Sequence, residues 1–260
     1  MRIDKKNIMI NLDAGELTVL VNGDERKYCL GTREAFDIIG EIWLRAGWDV
    51  KYLYSLTWLG RPILQLPDDL LRLQEIVWAV KPDLIIETGV AHGGSLTFFA
   101  SLLHVWGRGL VVGVEKGLMD STRTAIKSHP LNKYMTIVEG SSTDRATVEK
   151  IEKLVGKHNR VLILLDSNHS YQHVLDELNI YSRFVTKGSW IIACDGIIGE
   201  FKGAPRVPID VEKNNATEAA KEFLKLNSEF ELLDPPLLFN ESSINRSPTY
   251  WRGGFLRRKS

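Results

Sequence analysis

The chain has little cysteine, no long apolar run and no excess of charge of either sign. Its two cysteines, Cys29 and Cys194, are too few for a disulfide framework and lie in no Cys-x-x-Cys context, so each reads as a small buried hydrophobe. Apolar runs stop at about six to eight residues, far short of the ~20 that a membrane-spanning helix needs. Lys+Arg number 33 and Asp+Glu number 33, a formal net charge of +0. That balance disfavours nucleic acid as a partner, because domains that grip a phosphate backbone are strongly basic. The one dense basic run, Arg257-Arg258-Lys259, reads as a solvated tail. There is no clean Gly-x-Gly-x-x-Gly and no His-x-Asp…His iron triad. The opening Met1-Arg2-Ile3-Asp4-Lys5-Lys6 is charged and no apolar core follows, so no secretion signal is expected. A soluble, cytoplasmic protein with reduced thiols is the resulting expectation.

What is present is ordinary globular composition, 44% hydrophobic and 25% charged over 260 residues, enough for one large domain or two small ones. Residues 1 to about 30 are mixed, with a turn signal at Asn22-Gly23-Asp24. A helix is expected over 33–50, with Phe36, Ile39, Trp43 and Leu44 at helical spacing, and another from Pro67-Asp68-Asp69 to Val80. Most of the tryptophans, including Trp43, Trp48, Trp58 and Trp78, read as core, and Trp58 as the one nearest a ligand.

From Leu84 the rhythm changes. Unbroken apolar runs at 84–86, 110–114, 135–138, 161–165 and 190–193 suit strands buried on both faces. Amphipathic segments at about 93–106, 119–128, 144–157 and 171–185 separate them. This alternation predicts an α/β fold with a mainly parallel sheet. A Gly-, Pro- and charge-rich segment, 196–213, reads as a loop or lid; a helix at about 215–227 and weaker strands near 229–233 and 253–258 follow.

In open α/β sheets, ligands bind beyond the carboxyl ends of the strands. Those ends here carry Glu87-Thr88-Gly89, Glu115, Glu139-Gly140-Ser141-Ser142, Asp166-Ser167-Asn168-His169 and Cys194-Asp195. The convergence of acids, glycines and small hydroxyls is the strongest signal in the chain. Glu87-Thr88-Gly89-Val90-Ala91-His92-Gly93-Gly94-Ser95 is a strand end, a glycine turn and a helix start. An acid at Glu87 would repel a pyrophosphate and favour a cation. Glu115, ending the next strand, is placed to accept ribose hydroxyls. Together they fit S-adenosylmethionine, which has a ribose, a sulfonium and an amino-acid tail but no phosphate. The expected cofactor-binding set is Glu87, Thr88, Gly89, His92, Gly93, Ser95, Glu115, Ser141, Ser142 and Asp166.

Asp166 and Asp195 end consecutive long runs, and two carboxylates side by side at a buried edge call for a cation between them. Mg²⁺ suits oxygen ligands and keeps several waters, which makes Asp166 and Asp195 the expected metal ligands. His169 follows in the same turn and is the expected general base, with Asp166 beside it in the catalytic pair.

Asp166-Ser167-Asn168-His169-Ser170-Tyr171-Gln172-His173-Val174-Leu175-Asp176-Glu177-Leu178 resembles a signature of the cephalosporin hydroxylase-like family. Thr57-Trp58-Leu59-Gly60-Arg61-Pro62 with Gln65 and Pro67-Asp68-Asp69, and the Glu87-Thr88-Gly89 and Gly93-Gly94-Ser95 turns, are similar to further segments of it. That family comprises S-adenosylmethionine-dependent O-methyltransferases, including those acting on rhamnosyl groups and macrolide sugars. The resemblance implies a class I methyltransferase (Rossmann-like) doubly wound sheet of seven strands, the last antiparallel. It also implies Mg²⁺ held at position 166 and by an acidic pair at 194 and 195, with a histidine base at 169. Position 194 is cysteine here, a poor Mg²⁺ ligand, which leaves three alternatives: two carboxylates plus waters, a third oxygen from a residue of 196–213 such as Glu200, or a metal that is weak or absent.

The resulting expectation is an N-terminal extension over 1–65 and an S-adenosylmethionine-binding domain over 66–260. The expected activity is Mg²⁺-assisted methylation of a hydroxyl on a sugar or glycosylated natural product. Residues 1–60, 196–213 and 236–251 would build the acceptor pocket, and a second subunit could help to close it. A nicotinamide-dependent oxidoreductase and a non-catalytic cofactor-binding relative are the alternatives.

Overall fold

A computed structural model describes residues 6–21 and 23–260. The chain divides into two compact units: one runs up to Val50 and includes Pro236–Pro248, the other is Lys51–Pro235 with Thr249–Ser260.

In the first unit, β1 (Lys6–Asn11), β2 (Glu16–Val21) and β3 (Asp24–Cys29) form an antiparallel meander. The turn expected at Asn22-Gly23-Asp24 rests on Asn22, which lies outside the described residues; Val21 pairs with Asp24 across it. Leu17 and Val19 alternate onto one face of β2 and pack on Ala35 and Ile38 of α1 (Arg33–Asp49). Thr32 starts that helix by accepting the Ala35 amide at 3.3 Å. Arg246 lies 3.8 Å from both Asp37 and Glu41 of α1, which places the 236–248 stretch in this unit. Two expectations fail here. Cys29 is exposed, because it ends an edge strand, and Trp43 is 40% exposed.

The second unit opens with a small hairpin, β4 (Thr57–Trp58) and β5 (Arg61–Pro62), followed by α2 (Pro67–Val80). Then β6 (Leu84–Thr88), α3 (Gly94–Val105), β7 (Leu110–Glu115), α4 (Asp120–Ser128), β8 (Met135–Glu139), α5 (Arg145–Val155) and β9 (Val161–Leu165) alternate. After them come α6 (Tyr171–Tyr181), β10 (Trp190–Ala193), α7 (Ala216–Leu226), β11 (Phe230–Leu232) and β12 (Phe255–Arg258). The hairpin belongs to this unit because Trp58 meets the edge of Phe98 on α3 at 5.0 Å and donates to Ser101 at 3.2 Å. The compact division falls at Val50, upstream of the hairpin. The 196–213 segment is a short 3₁₀ turn, Gly196–Glu200, followed by irregular chain.

Seven strands form one sheet in the order β11-β12-β10-β9-β6-β7-β8. β12 is antiparallel to both neighbours, and the remaining pairs are parallel. This is the sheet expected from the resemblance. The chain steps outward from β6 to β8, then returns to β9 on the other side of β6. That reversal opens a crevice between β6 and β9, where such sheets bind ligands.

All five residues of β9 are buried, each apolar side chain contributing roughly 1.5–3 kcal/mol. Trp190 and Trp251 are core, but Trp78 is 54% exposed, lying 6.0 Å from Trp106 under the Lys81 ammonium. Among the described residues, no helix is long and apolar enough to cross a membrane. Leu164→Ala should leave a cavity at the sheet centre and cost about 2–5 kcal/mol, read as a fall in the urea midpoint with the slope unchanged.

Candidate active site

The register sets the strand ends level. Thr88 pairs with Leu165 and with Val114, Glu115 with Glu139, and Ala193 with Leu165. The residues that follow leave the sheet along one edge, and this brings Gly89, Asp166 and Cys194 together.

Gly89 is left-handed at φ +83, and a Cβ there would fall on the Asp166 carbonyl oxygen. The Asp166 amide donates to the Thr88 carbonyl at 3.0 Å, which clamps the β6 loop against the β9 loop. Gly94 has its own constraint: a Cβ would strike the Pro62 carbonyl. The loop between these glycines is held from two sides. Glu115 Oε2 accepts the Val90 and Ala91 amides at 2.9 and 3.2 Å, and Arg61 donates to the His92 carbonyl at 2.9 Å from Nε. Burial works to raise the Glu115 pKa, but the amides of Gly117, Val90 and Ala91 outweigh it and hold it below the usual range.

Glu87 is fully buried, and neither carboxylate oxygen makes a close hydrogen bond among the described residues, the Ser95 hydroxyl acting on it from longer range. Desolvation pushes its pKa to about 8; Glu115 adds to the rise, and the Ser95 hydroxyl at the start of α3 opposes it. Thr88 is buried behind it, its hydroxyl without a partner among the described residues. On the neighbouring edge, Ser141 and Thr143 share a hydroxyl contact at 3.2 Å, and Ser142 meets His173 Nε2 at 3.3 Å.

Asp166, His169 and Asp195 converge, with one ligand atom from each lying within 4.8 Å of the others. His169 Nε2 is 3.5 Å from Asp195 Oδ2, and Asp195 is itself left-handed at φ 59. Gln65 donates from Nε2 to Asp166 Oδ2 at 2.6 Å. Desolvation, then Asp195, then Glu87 raise the Asp166 pKa well above the ordinary carboxylate range. Asp195 is raised by desolvation and relieved by His169. Two such carboxylates, both destabilised as anions, are the electrostatic condition that a divalent cation relieves.

Cys194 is buried in the same place, and desolvation with Asp166 and Asp195 pushes its thiol up, so it stays protonated and outside the cluster. Glu200 does not reach the cluster either: it pairs with Arg252 at 2.6 Å. Trp58 donates its ring N–H to Ser101 of α3 at 3.2 Å.

Two buried acids escaped the sequence reading. Asp69 accepts the Thr249 hydroxyl and the Tyr250 amide, the latter at 3.0 Å, and desolvation raises its pKa to about 8. Glu177 accepts from Ser167 at 2.8 Å and lies 3.4 Å from His173 Nε2. Ser142, Ser167 and Glu177 all meet that one His173 nitrogen, so the group lacks the two-sided geometry of a Ser-His-acid triad. A signal was available for both acids. Asp69 shares the buried stripe of α2 with Leu73, Ile76 and Val77, and Glu177 shares that of α6 with Val174, Leu178 and Tyr181.

The strand order, the antiparallel last strand and a site at the switch point define a class I methyltransferase sheet. The chain belongs to the Rhamnosyl O-methyltransferase/CmcI family, whose model matches residues 50–259. It is similar to the Rhamnosyl O-methyltransferase of Mycobacterium tuberculosis, 29% identical over 154 residues, which are 58% of this chain and 60% of that protein. The Mycobacterium leprae Rhamnosyl O-methyltransferase is 30% identical over 154 residues, 58% of this chain and 65% of that one. The match thus spans about three fifths of the length of these relatives. A solved CmcI structure in a Mg-SAM form aligns over 80% of this chain and 78% of that one, at 19% identity and a TM-score of 0.53, a likeness of fold.

Gly89→Ala should cost about 2–5 kcal/mol from left-handed strain plus the clash, read as a lower unfolding midpoint. Glu87→Gln tests the buried acid. A folded pKa of about 8 against 4.5 unfolded gives wild type a stabilisation present below the unfolded value and lost as pH rises to the folded one. The variant should therefore match wild type near pH 4 and exceed it by on the order of 3 kcal/mol at pH 7, measured by urea unfolding across pH.

Proposed function

We propose that the protein transfers the methyl group of S-adenosylmethionine to a hydroxyl of a sugar or glycosylated natural product, with Mg²⁺ at Asp166 and Asp195 and His169 as the base. The observation that carries this is the pairing of two features one strand apart: the Asp166–His169–Asp195 cluster and the buried Glu87, which has no cationic partner among the described residues, beside a glycine loop. Both call for positive charge, and neither suits a phosphate. The Val90 and Ala91 amides, which a dinucleotide pyrophosphate would need, already serve Glu115, and this argues against a nicotinamide cofactor. The names of the mycobacterial relatives support a rhamnosyl acceptor.

In this reading Glu87 takes the ammonium of the methionine portion and ionises as it does so. Glu115, its Oε2 on the loop amides and its Oε1 on the Gly117 amide at 3.1 Å, turns Oε1 to the ribose. Thr88, Gly89, His92, Gly93 and Ser95 shape the loop around the cofactor, and Ser141, Ser142 and Asp166 complete its binding set. When bound, Mg²⁺ lowers the pKa of an acceptor hydroxyl. Gln65 holds Asp166 Oδ2 and leaves the other oxygen to face the cluster. His169 takes the hydroxyl proton, and Asp195, 3.5 Å from its Nε2, stabilises the imidazolium that forms. The acceptor oxygen attacks the sulfonium methyl in line; the O–C bond forms as the C–S bond breaks, and S-adenosylhomocysteine leaves. In this reading residues 66–260 carry the cofactor-binding function and 1–65 precede them as an extension, of which 51–65 fold with the second compact unit. The two free thiols fit a cytoplasmic setting.

Asp166→Ala and His169→Ala should abolish methyl transfer to a rhamnoside acceptor while calorimetry still shows S-adenosylmethionine binding. Full turnover in both variants sinks the mechanism. Failure of the wild type to convert S-adenosylmethionine with any sugar acceptor leaves the non-catalytic reading standing.

A further inference from the structure

We propose that His173 is a positioning residue for the cofactor: its Nε2 ties Ser142 of the β8 loop to Ser167 beside Asp166, and so orients the Ser142 hydroxyl toward S-adenosylmethionine. The inference rests on the methyl-transfer reading above, in which Ser142 belongs to the cofactor-binding set. His173, Glu177 and Tyr181 stand at i, i+4 and i+8 on α6 and form one ridge. That ridge grips Ser142 from two sides. Nε2 of His173 lies 3.3 Å from the Ser142 hydroxyl, and the Tyr181 hydroxyl donates to the Ser142 carbonyl at 2.9 Å. The same Nε2 lies 3.0 Å from the Ser167 hydroxyl. In the sheet, β6 and β7 stand between β8 and β9, which leaves the outer two about 14 Å apart. The sheet separates the two loops, and α6 joins them.

The buried acid fixes the direction of these hydrogen bonds. Ser167 gives its one hydroxyl hydrogen to Glu177 Oε1 at 2.8 Å, so toward His173 it accepts. Nε2 is therefore a donor, shared between Ser167 and the more distant Ser142. The Glu177 carboxylate, with Oε1 3.4 Å from Nε2, raises the His173 pKa above the usual histidine value. Burial and the Lys116 ammonium oppose that rise, and Asp176 adds to it. A nitrogen that carries a proton takes none from Ser142. The Ser142 hydroxyl hydrogen is left for an acceptor on the cofactor. Packing alone asks for no such arrangement, in which oxygens from the β8 loop, the β9 loop and α6 converge on one nitrogen.

The test is calorimetric titration of the full chain with S-adenosylhomocysteine. Glutamine carries its amide nitrogen close to where histidine carries Nε2, whereas asparagine falls one methylene short. Both are neutral, so the lost charge beside Glu177 is common to the two variants. His173→Asn should weaken S-adenosylhomocysteine about tenfold, and His173→Gln should stay within about threefold of wild type. In a Ser142→Ala background, His173→Asn should cost about twofold or less, because the residue through which it acts is gone. A purely structural role would weaken both variants alike and persist in the Ser142→Ala background; either result overturns the inference. If His173→Asn fails to fold, the wild-type chain with isotope-labelled histidine decides. Saturation with S-adenosylhomocysteine should then shift the His173 Nε2 resonance, and an unmoved resonance overturns the role. Wild type that binds no S-adenosylhomocysteine overturns the methyl-transfer reading as well. Wild-type binding with no loss in His173→Asn overturns the positioning role alone.

Discussion

Carboxylates crowded where water has little access are the constraint on which the site depends. Glu87, Asp69, Asp166 and Asp195 all have raised pKa values, with desolvation the leading cause in each. Asp166 feels Asp195 and Glu87 directly. Burying like charges together is tolerated only where protons or cations neutralise them. The protein softens the cost with neutral donors: Gln65 on Asp166, and Thr249 with the Tyr250 amide on Asp69. None of these donors adds positive charge, so the cluster still depends on protons or a cation for neutralisation.

Cys194 bears on the same balance. A second carboxylate at this position would add one more buried anion between Asp166 and Asp195. The thiol stays protonated and contributes no formal charge. The charge available to a cation is thereby reduced to Asp166 and Asp195, with His169 at the rim. The β6 loop then depends on those same neighbours for its shape. Gly89 lies against the Asp166 carbonyl, and Glu115 holds the loop amides, so the β6 loop and the Asp166–His169–Asp195 cluster are one mechanical unit.

Much of this was readable from sequence because strands buried on both faces write themselves as unbroken apolar runs. The residue after each run is then a site candidate by topology alone, as with Glu87, Glu115, Asp166 and Asp195. Asp69 and Glu177 were not read that way, since they sit inside helices, where an acid is ordinarily solvated; only their place on the apolar stripe marked them. The meander of β1 to β3 escaped for the opposite reason. β3 is almost wholly exposed and carries the charged string Asp24-Glu25-Arg26-Lys27, which leaves no apolar alternation to read. Trp43, Trp78 and Cys29 were misplaced because residue type gives an average burial, whereas position on an edge or outer face decides the individual case.

Local sequence by itself determined the strand–helix alternation, the acids at the strand ends and the glycines of the β6 loop. These depend on period, on side-chain volume and on the backbone freedom that glycine alone supplies. Tertiary structure decided which of those acids meet. Strand order placed β9 against β6 and β10 against β9, and register levelled their ends. Only then did Asp166, His169 and Asp195 converge, Glu115 turn to the loop amides and Glu200 turn away to Arg252. Desolvation and Coulomb repulsion act through space, and distance along the chain carries no record of them.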